Sequence, residues 1–152
     1  MSLSIEDILT PERSVIDVTV SSKKKLLEQL SSLVAEEIGD ASADDIYERL
    51  LARERMGSTG IGEGIAIPHC RLLQCQKALG ILLRLNTPID YDSIDGNPVD
   101  LVFALLVPEE ATDEHLQILA TLASNFNQAE YREALRNAPD AKHLFQRAIA
   151  ER

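Results

Sequence analysis

The sequence predicts an α/β protein, three layers deep (α/β/α) around a mixed central sheet, with elements in the order β-α-α-β-β-β-α-α-α. Three observations predict it. Two nearly continuous apolar runs, Ala78 to Leu85 and Val99 to Val107, have the composition of strands buried on both faces. Stretches with apolar residues at helical spacing lie before and after those runs, so helices are available to cover both faces of a sheet. The middle strands follow one another with no helix between them, which calls for a mixed rather than a purely parallel sheet.

Each element has its own signal. Ile5, Ile8 and Leu9 suggest a short helical turn that Thr10-Pro11 ends. Ser14 to Val20 is rich in β-branched residues (Val15, Ile16, Val18, Val20) and reads as a strand. Ser21 or Ser22 caps a helix carrying Leu26, Leu27, Leu30, Leu33, Val34 and Ile38, and Gly39 ends it. Ser42 opens a second helix with Asp44 and Asp45 in its first turn, where the helix dipole favours them, running to about Arg55. Ile65 to Ile67 forms a short strand leading into His69. After the strand Ala78 to Leu85, which Arg84 interrupts near its end, Asn86 to Pro98 reads as a connection rich in Asp, Asn, Gly and Pro. Val99 to Val107 is the next strand, stopped by Pro108. Thr112-Asp113-Glu114 opens a long helix with Leu116, Ile118, Leu119, Leu122, Ala123 and Phe126 inward, and shorter helices follow around Glu130 to Asn137 and Asp140 to Ala150.

Residues 1–152 are read as one domain, long enough for a real hydrophobic core. Apolar residues make up 45% and charged residues 26%, ordinary values for a globular protein, and the core must be mostly aliphatic because Trp is absent. The formal net charge of -10 argues against nucleic acid as the main partner, since phosphate binding needs a basic footprint. The N-terminal stretch has neither a basic nor an apolar signal region, and no apolar run approaches a membrane span, so a cytoplasmic protein without membrane insertion is expected. Cys70 and Cys75 form no disulfide framework and fit a reducing compartment.

The stretch Arg53 to Arg71, RERMGSTGIGEGIAIPHCR, holds most of the chain's 7 glycines. It matches neither the dinucleotide fingerprint nor a nucleotide-binding P-loop. Two readings stand: a tight connection between helix and strand, or an anion-binding concavity of backbone N–H groups around Gly60 with Ser58 and Thr59 adding hydroxyls. His69 follows a small apolar strand beside Pro68, and a neutral imidazole there is a nucleophile near pH 7. A histidine attacking phosphorus needs donors for the equatorial oxygens, and Arg53 and Arg71 supply charge in forked geometry. His115, near the start of the long third helix, is either a surface or capping residue or a donor beside an anion. His143, among polar residues, reads as solvated. Cys70, Cys75, His69 and His115 have metal-ligand atoms but not convincing metal spacing, so no metal or cofactor is expected. Adjacent residues of an extended segment point to opposite sides, which disfavours a Cys70–His69 nucleophile pair.

The run from Arg53-Glu54 through MGSTGIGEGIAIPH closely resembles the phosphoryl-accepting motif of bacterial phosphotransferase-system (PTS) enzyme IIA domains of type 2, the class with mannitol, fructose and nitrogen-regulatory members. TPIDYDSIDGNPVDLVFALLVP, EHLQILATLA and ILTPERSVIDVTVSSKKKLLEQL resemble the same family, so the likeness covers nearly the whole chain. It is strongest toward the nitrogen-regulatory branch, through Met56 to Gly60 and Asp95 to Val107. The resemblance implies a mixed sheet between helix layers. It implies that His69 accepts a phosphoryl group from a histidine phosphocarrier protein (HPr-like, of the nitrogen branch). Arg53 matches the family arginine that helps hold the group, and His115 the second active-site histidine. Cys70 stands where glycine is common and Arg71 where lysine is frequent.

The expected mechanism is in-line transfer to Nε2 of neutral His69, with Arg53, His115 and the loop of Ser58, Thr59 and Gly60 stabilising the phosphoryl oxygens and Arg71 in support. Docking is expected on an apolar patch with Ile61 and Ile65, ringed by acidic residues such as Glu63. Three functions follow: a phosphocarrier whose phosphorylation state regulates partners such as sensor kinases or potassium transporters; a sugar-specific component of fructose- or mannitol-type transport; or a binding module for an anion or protein without turnover.

Overall fold

The computed structural model describes residues 3–150. Among the described residues the chain runs α1 (Ile5–Ile8), a 3-10 turn (Pro11–Arg13), β1 (Ser14–Val18), α2 (Lys23–Ile38) and α3 (Ala43–Arg55). Five strands follow: β2 (Gly60–Gly62), β3 (Ile65–Ala66), β4 (His69–Leu72), β5 (Leu79–Ile89) and β6 (Val99–Pro108). The helices α4 (Asp113–Phe126), α5 (Ala129–Arg136) and α6 (Ala141–Ile149) close the order.

The sheet is mixed, as the sequence order requires. Its path is β1-β5-β6-β3-β2, and β4 pairs with β6 beyond β3. β1 lies parallel to β5, β5 antiparallel to β6, and both β3 and β4 parallel to β6. β5 and β6 read as continuous apolar runs because both of their faces are covered. From Leu101 on, β6 sends Val102, Ala104 and Leu106 to the side of α2 and α3, and Leu101, Phe103, Leu105 and Val107 to the side of α1, α4, α5 and α6. Two aliphatic cores therefore lie back to back, the second reinforced by edge-to-face contacts of Phe126 with Phe103 and Tyr131.

The glycine-rich stretch folds differently in detail from the expectation. Three middle strands are anticipated and five are found, because β2 and β4 flank the expected strand at Ile65. Segments of two to four residues are too short to show a period of two. β5 also continues through Asn86 to Ile89, where a connection is expected, with a register shift between Arg84 and Ile89 and an exposed stretch at Asn86–Pro88. Arg84, the charge inside an apolar strand, reaches across to donate to the carbonyls of Leu135, Arg136 and Ala138, closing the C-terminal end of α5. Ser22, Ser42 and Asp140 cap α2, α3 and α6 by accepting from the N–H groups of Lys25, Asp45 and His143.

Candidate functional site: His69 at the sheet edge

His69 begins β4 opposite Leu105, and the preceding Pro68 carbonyl accepts the N–H of Leu105. The imidazole is half-buried and held from both sides. Its Nδ1 lies 2.8 Å from the Ile67 carbonyl, which can only accept, so the proton sits on Nδ1. Its Nε2 lies 3.3 Å from the Arg53 Nε–H, which can only donate, so Nε2 presents its lone pair. Burial lowers the basicity of His69; the Ile67 carbonyl opposes this, the positive Arg53 adds to it, and Glu54 opposes it. The ring is therefore neutral at pH 7, with the lone pair on the outer nitrogen.

Arg53 arrives from the last turn of α3, and its Nη1 donates to the Gly57 carbonyl at 2.9 Å. The next residue, Glu54, points inward and is only 8% exposed. Its carboxylate accepts from Thr59 N–H (3.1 Å), the Thr59 hydroxyl, the Tyr91 hydroxyl (3.1 Å) and Lys23 Nζ (2.9 Å). Lys23 also lies over the Tyr91 ring, 4.4 Å from its centre. Burial and then the charge of Glu54 push the Tyr91 hydroxyl well above its ordinary range, so it remains a donor. Glu54, Tyr91 and Lys23 carry no role in the sequence reading. The Arg53-Glu54 pair at the end of a predicted helix was the available signal, but only the fold shows that Glu54 turns inward.

The loop from Gly57 to Gly64 is a tight connection. Gly57 N–H donates to the Glu54 carbonyl, Gly60 N–H to the Ser58 hydroxyl, and Glu63 N–H to Asp95. The Ser58 hydroxyl donates to the Tyr91 carbonyl. The structure thus bonds the Ser58 hydroxyl to Tyr91, the Thr59 hydroxyl to Glu54 and the Gly60 N–H to Ser58, rather than to His69. Gly62 and Gly64 turn with φ of 100° and 81°, a region that favours glycine. Ile65, expected in a docking patch, is fully buried in the second core, whereas Met56 is 82% exposed.

A cleft of about 550 Å³ opens beside His69 between α3 and α4. Ala52, Met56, Val107, Leu116 and Leu119 make it apolar, and Arg49, Arg53 and Arg71 bring positive charge. Arg71 Nη1 donates to the Glu109 carbonyl, and Arg49 pairs with the Glu109 carboxylate at 3.1 Å. His115 lies in the first turn of α4, the helix that lends Leu116 and Leu119 to the cleft. Its Nδ1 accepts the Thr112 N–H at 3.2 Å, which leaves Nε2–H as the donor of the ring. The structure joins Arg53 to His69 directly and puts Arg71 in the same cleft. The hydrogen bonds of His115 stay within its own helix turn. His143, half-exposed, bonds Asp140 at 2.7 Å in the cap of α6, away from this cleft. Cys70 faces the first core, where burial pushes its thiol up to about 12, so it is not a thiolate nucleophile. Among the described residues no three His, Cys, Asp or Glu side chains converge to hold a metal ion.

A histidine presented in this way, at the edge of a mixed sheet between two helix layers, defines a class that comparison with known proteins identifies. Residues 7–151 match the family model of the phosphoenolpyruvate-dependent sugar phosphotransferase system, EIIA 2, and the chain belongs to that family. Within it the likeness is to nitrogen-regulatory members. The nitrogen regulatory protein of Pseudomonas aeruginosa is 51% identical over 144 residues, covering 95% of this chain and 94% of that one. The crystal structure of nitrogen regulatory protein IIA-Ntr from Neisseria meningitidis superposes with a TM-score of 0.88 at 41% identity, covering 95% and 98% of the two chains. IIA mannitol from Escherichia coli shares the fold, with a TM-score of 0.75 at 14% identity and coverage of 93% and 99%.

Proposed function

We propose that this protein is a regulatory phosphocarrier that takes a phosphoryl group onto Nε2 of His69. The donor is a phosphohistidine on a small histidine phosphocarrier protein of the nitrogen branch. The observation that carries the reading is the pair of bonds on the ring: Nδ1–H held by the Ile67 carbonyl, and Nε2 free of a proton beside the Arg53 guanidinium. In the transfer, the Nε2 lone pair forms the new N–P bond as the donor's N–P bond breaks, and the donor imidazole leaves with that electron pair. Arg53 neutralises the phosphoryl oxygens and His115 donates to them through Nε2–H, with Arg71 adding positive charge to the cleft wall. Ser58, Thr59 and Gly60 act by shaping the turn that aims Arg53 and His69. The exposed Met56 and the apolar cleft provide the docking surface.

The regulatory reading is supported by the nitrogen-regulatory relatives, and the proposed targets are cytoplasmic partners such as sensor kinases or the cytoplasmic face of potassium transporters. Among the described residues no helix is long and apolar enough to cross a membrane. Intact-mass measurement tests the carrier step. The protein is mixed with phosphoenolpyruvate, the first enzyme of the chain and its phosphocarrier. One acid-labile phosphoryl group is expected on the wild type and none on His69→Ala. No gain from a donor shown to be charged overturns the carrier reading.

A further inference from the structure

A continuous line of hydrogen bonds runs from a buried carboxylate to the reactive ring. Glu54 Oε1 accepts the Thr59 N–H at 3.1 Å. The Thr59 carbonyl accepts the Ile67 N–H at 3.0 Å. The Ile67 carbonyl accepts from His69 Nδ1 at 2.8 Å. An ionised carboxylate has about four lone-pair sites. Here Thr59 N–H, the Thr59 and Tyr91 hydroxyls and Lys23 Nζ all point at Glu54, so the anchor is filled. Its donors come from α2, from the glycine-rich loop and from the segment after β5. We propose that Glu54 is a positioning residue for phosphoryl transfer: through Thr59 it fixes the Ile67 carbonyl, and that carbonyl keeps the proton of His69 on Nδ1 and the lone pair on Nε2.

The inference rests on His69 as the acceptor and adds the group that sets its tautomer. A free neutral imidazole side chain favours the proton on Nε2, which would block the attacking nitrogen. The Ile67 carbonyl reverses that preference only while it stays in line with Nδ1. A glutamine at position 54 would turn an amide N–H₂ toward donors, leaving at least one of them unmatched and Lys23 without a counter-charge. The Thr59 segment then shifts, and the Ile67 carbonyl with it.

The test reads the tautomer apart from the chemistry. The ¹⁵N shifts of the His69 ring nitrogens are measured in the unphosphorylated protein at about pH 8, where the imidazole is neutral. The initial rate of phosphorylation by the charged phosphocarrier is measured in parallel. The wild type is expected to show the Nδ1–H form. Glu54→Gln is expected to gain the Nε2–H form and to lose about 10- to 100-fold in rate, the scale on which a small misplacement of reacting groups acts. A folded Glu54→Gln that keeps the wild-type tautomer overturns the proposal, whatever its rate, since a structural role alone leaves the ring shifts in place. If Glu54→Gln does not fold, Glu54→Asp decides. It keeps the charge opposite Lys23 but draws the carboxylate back from the Thr59 N–H, so a partial shift toward Nε2–H is expected and an unchanged ring sinks the idea. Failure of the wild type to accept a phosphoryl group would count against His69 as acceptor, while the ring shifts would still report on Glu54.

Discussion

Two bonds on one imidazole set the chemistry at the residue scale. The Ile67 carbonyl fixes the proton and the Arg53 Nε–H marks the lone pair. Lysine keeps the charge of arginine but loses the fork that serves His69 and the Gly57 carbonyl together. Arg53→Lys should slow phosphorylation about 100-fold, the usual effect of removing one positioned donor, in single-turnover rates with a charged phosphocarrier. The pH dependence follows from burial. The folded imidazole binds a proton less readily than the ordinary value of 6.5. As pH falls below 6.5 the unfolded chain takes up a proton that the folded chain still refuses, so stability declines through that window and levels off beneath the folded value. Urea unfolding from neutral to mildly acidic pH should show this slope in the wild type and less of it in His69→Gln. The sequence makes His69 and Arg53 legible as candidates, because a proline and a run of glycines mark a constrained backbone. It does not reveal Glu54's partners, since Lys23 and Tyr91 come from distant parts of the chain.

At the scale of elements, the helices were legible because their signals are local. Ser22, Ser42 and Asp140 cap the helices expected to start there, and Gly39 ends α2 with φ of 85°. Gly39 and Gly64 separate two reasons for a glycine. A Cβ on Gly39 meets nothing within 4 Å, so only the left-handed backbone opposes it. A Cβ on Gly64 would enter the space of Arg136, which donates to Asp100 at 2.8 Å and to the Glu63 carbonyl at 2.6 Å. Gly39→Ala should cost about 1 kcal/mol. Gly64→Ala should cost roughly 2–4 kcal/mol, strain and steric conflict together. Urea midpoints of the two variants check the difference. The short strand β3 was expected at Ile65 to Ile67 and is found there, but β2 and β4 could not be bounded from sequence, because a few residues carry no readable alternation and take their pairing from β3 and β6.

At the scale of the molecule, the sheet separates two cores, and the cleft at its β4 edge draws on both helix layers. α3 supplies Arg53 from one side, and α4 supplies Leu116 and Leu119 from the other. Phe103, fully buried against Phe126 and packed over Gly80, lies in the core beneath α4, α5 and α6. Phe103→Ala should destabilise the fold by about 3–5 kcal/mol, read by thermal or urea unfolding. The molecules that remain folded should still take one phosphoryl group by intact mass, because Arg53, Glu54 and Ile67 hold His69 without Phe103.

The amino-acid sequence by itself determined the α/β class, the mixed sheet, the helix ends and the glycine-proline segment that delivers His69. Each of these is a matter of local period, local backbone freedom or the order of elements, and all are written within a few residues. Tertiary structure alone decided which nitrogen of His69 carries its proton, where the hydroxyls of Ser58 and Thr59 point, and that Arg84 closes the end of α5. The proton of His69 depends on how the backbone turns between Ile67 and the ring, and the other two outcomes on groups far apart in the chain coming within hydrogen-bonding distance. A hydrogen bond between such groups has no signature in sequence until the packing of the two cores brings them together.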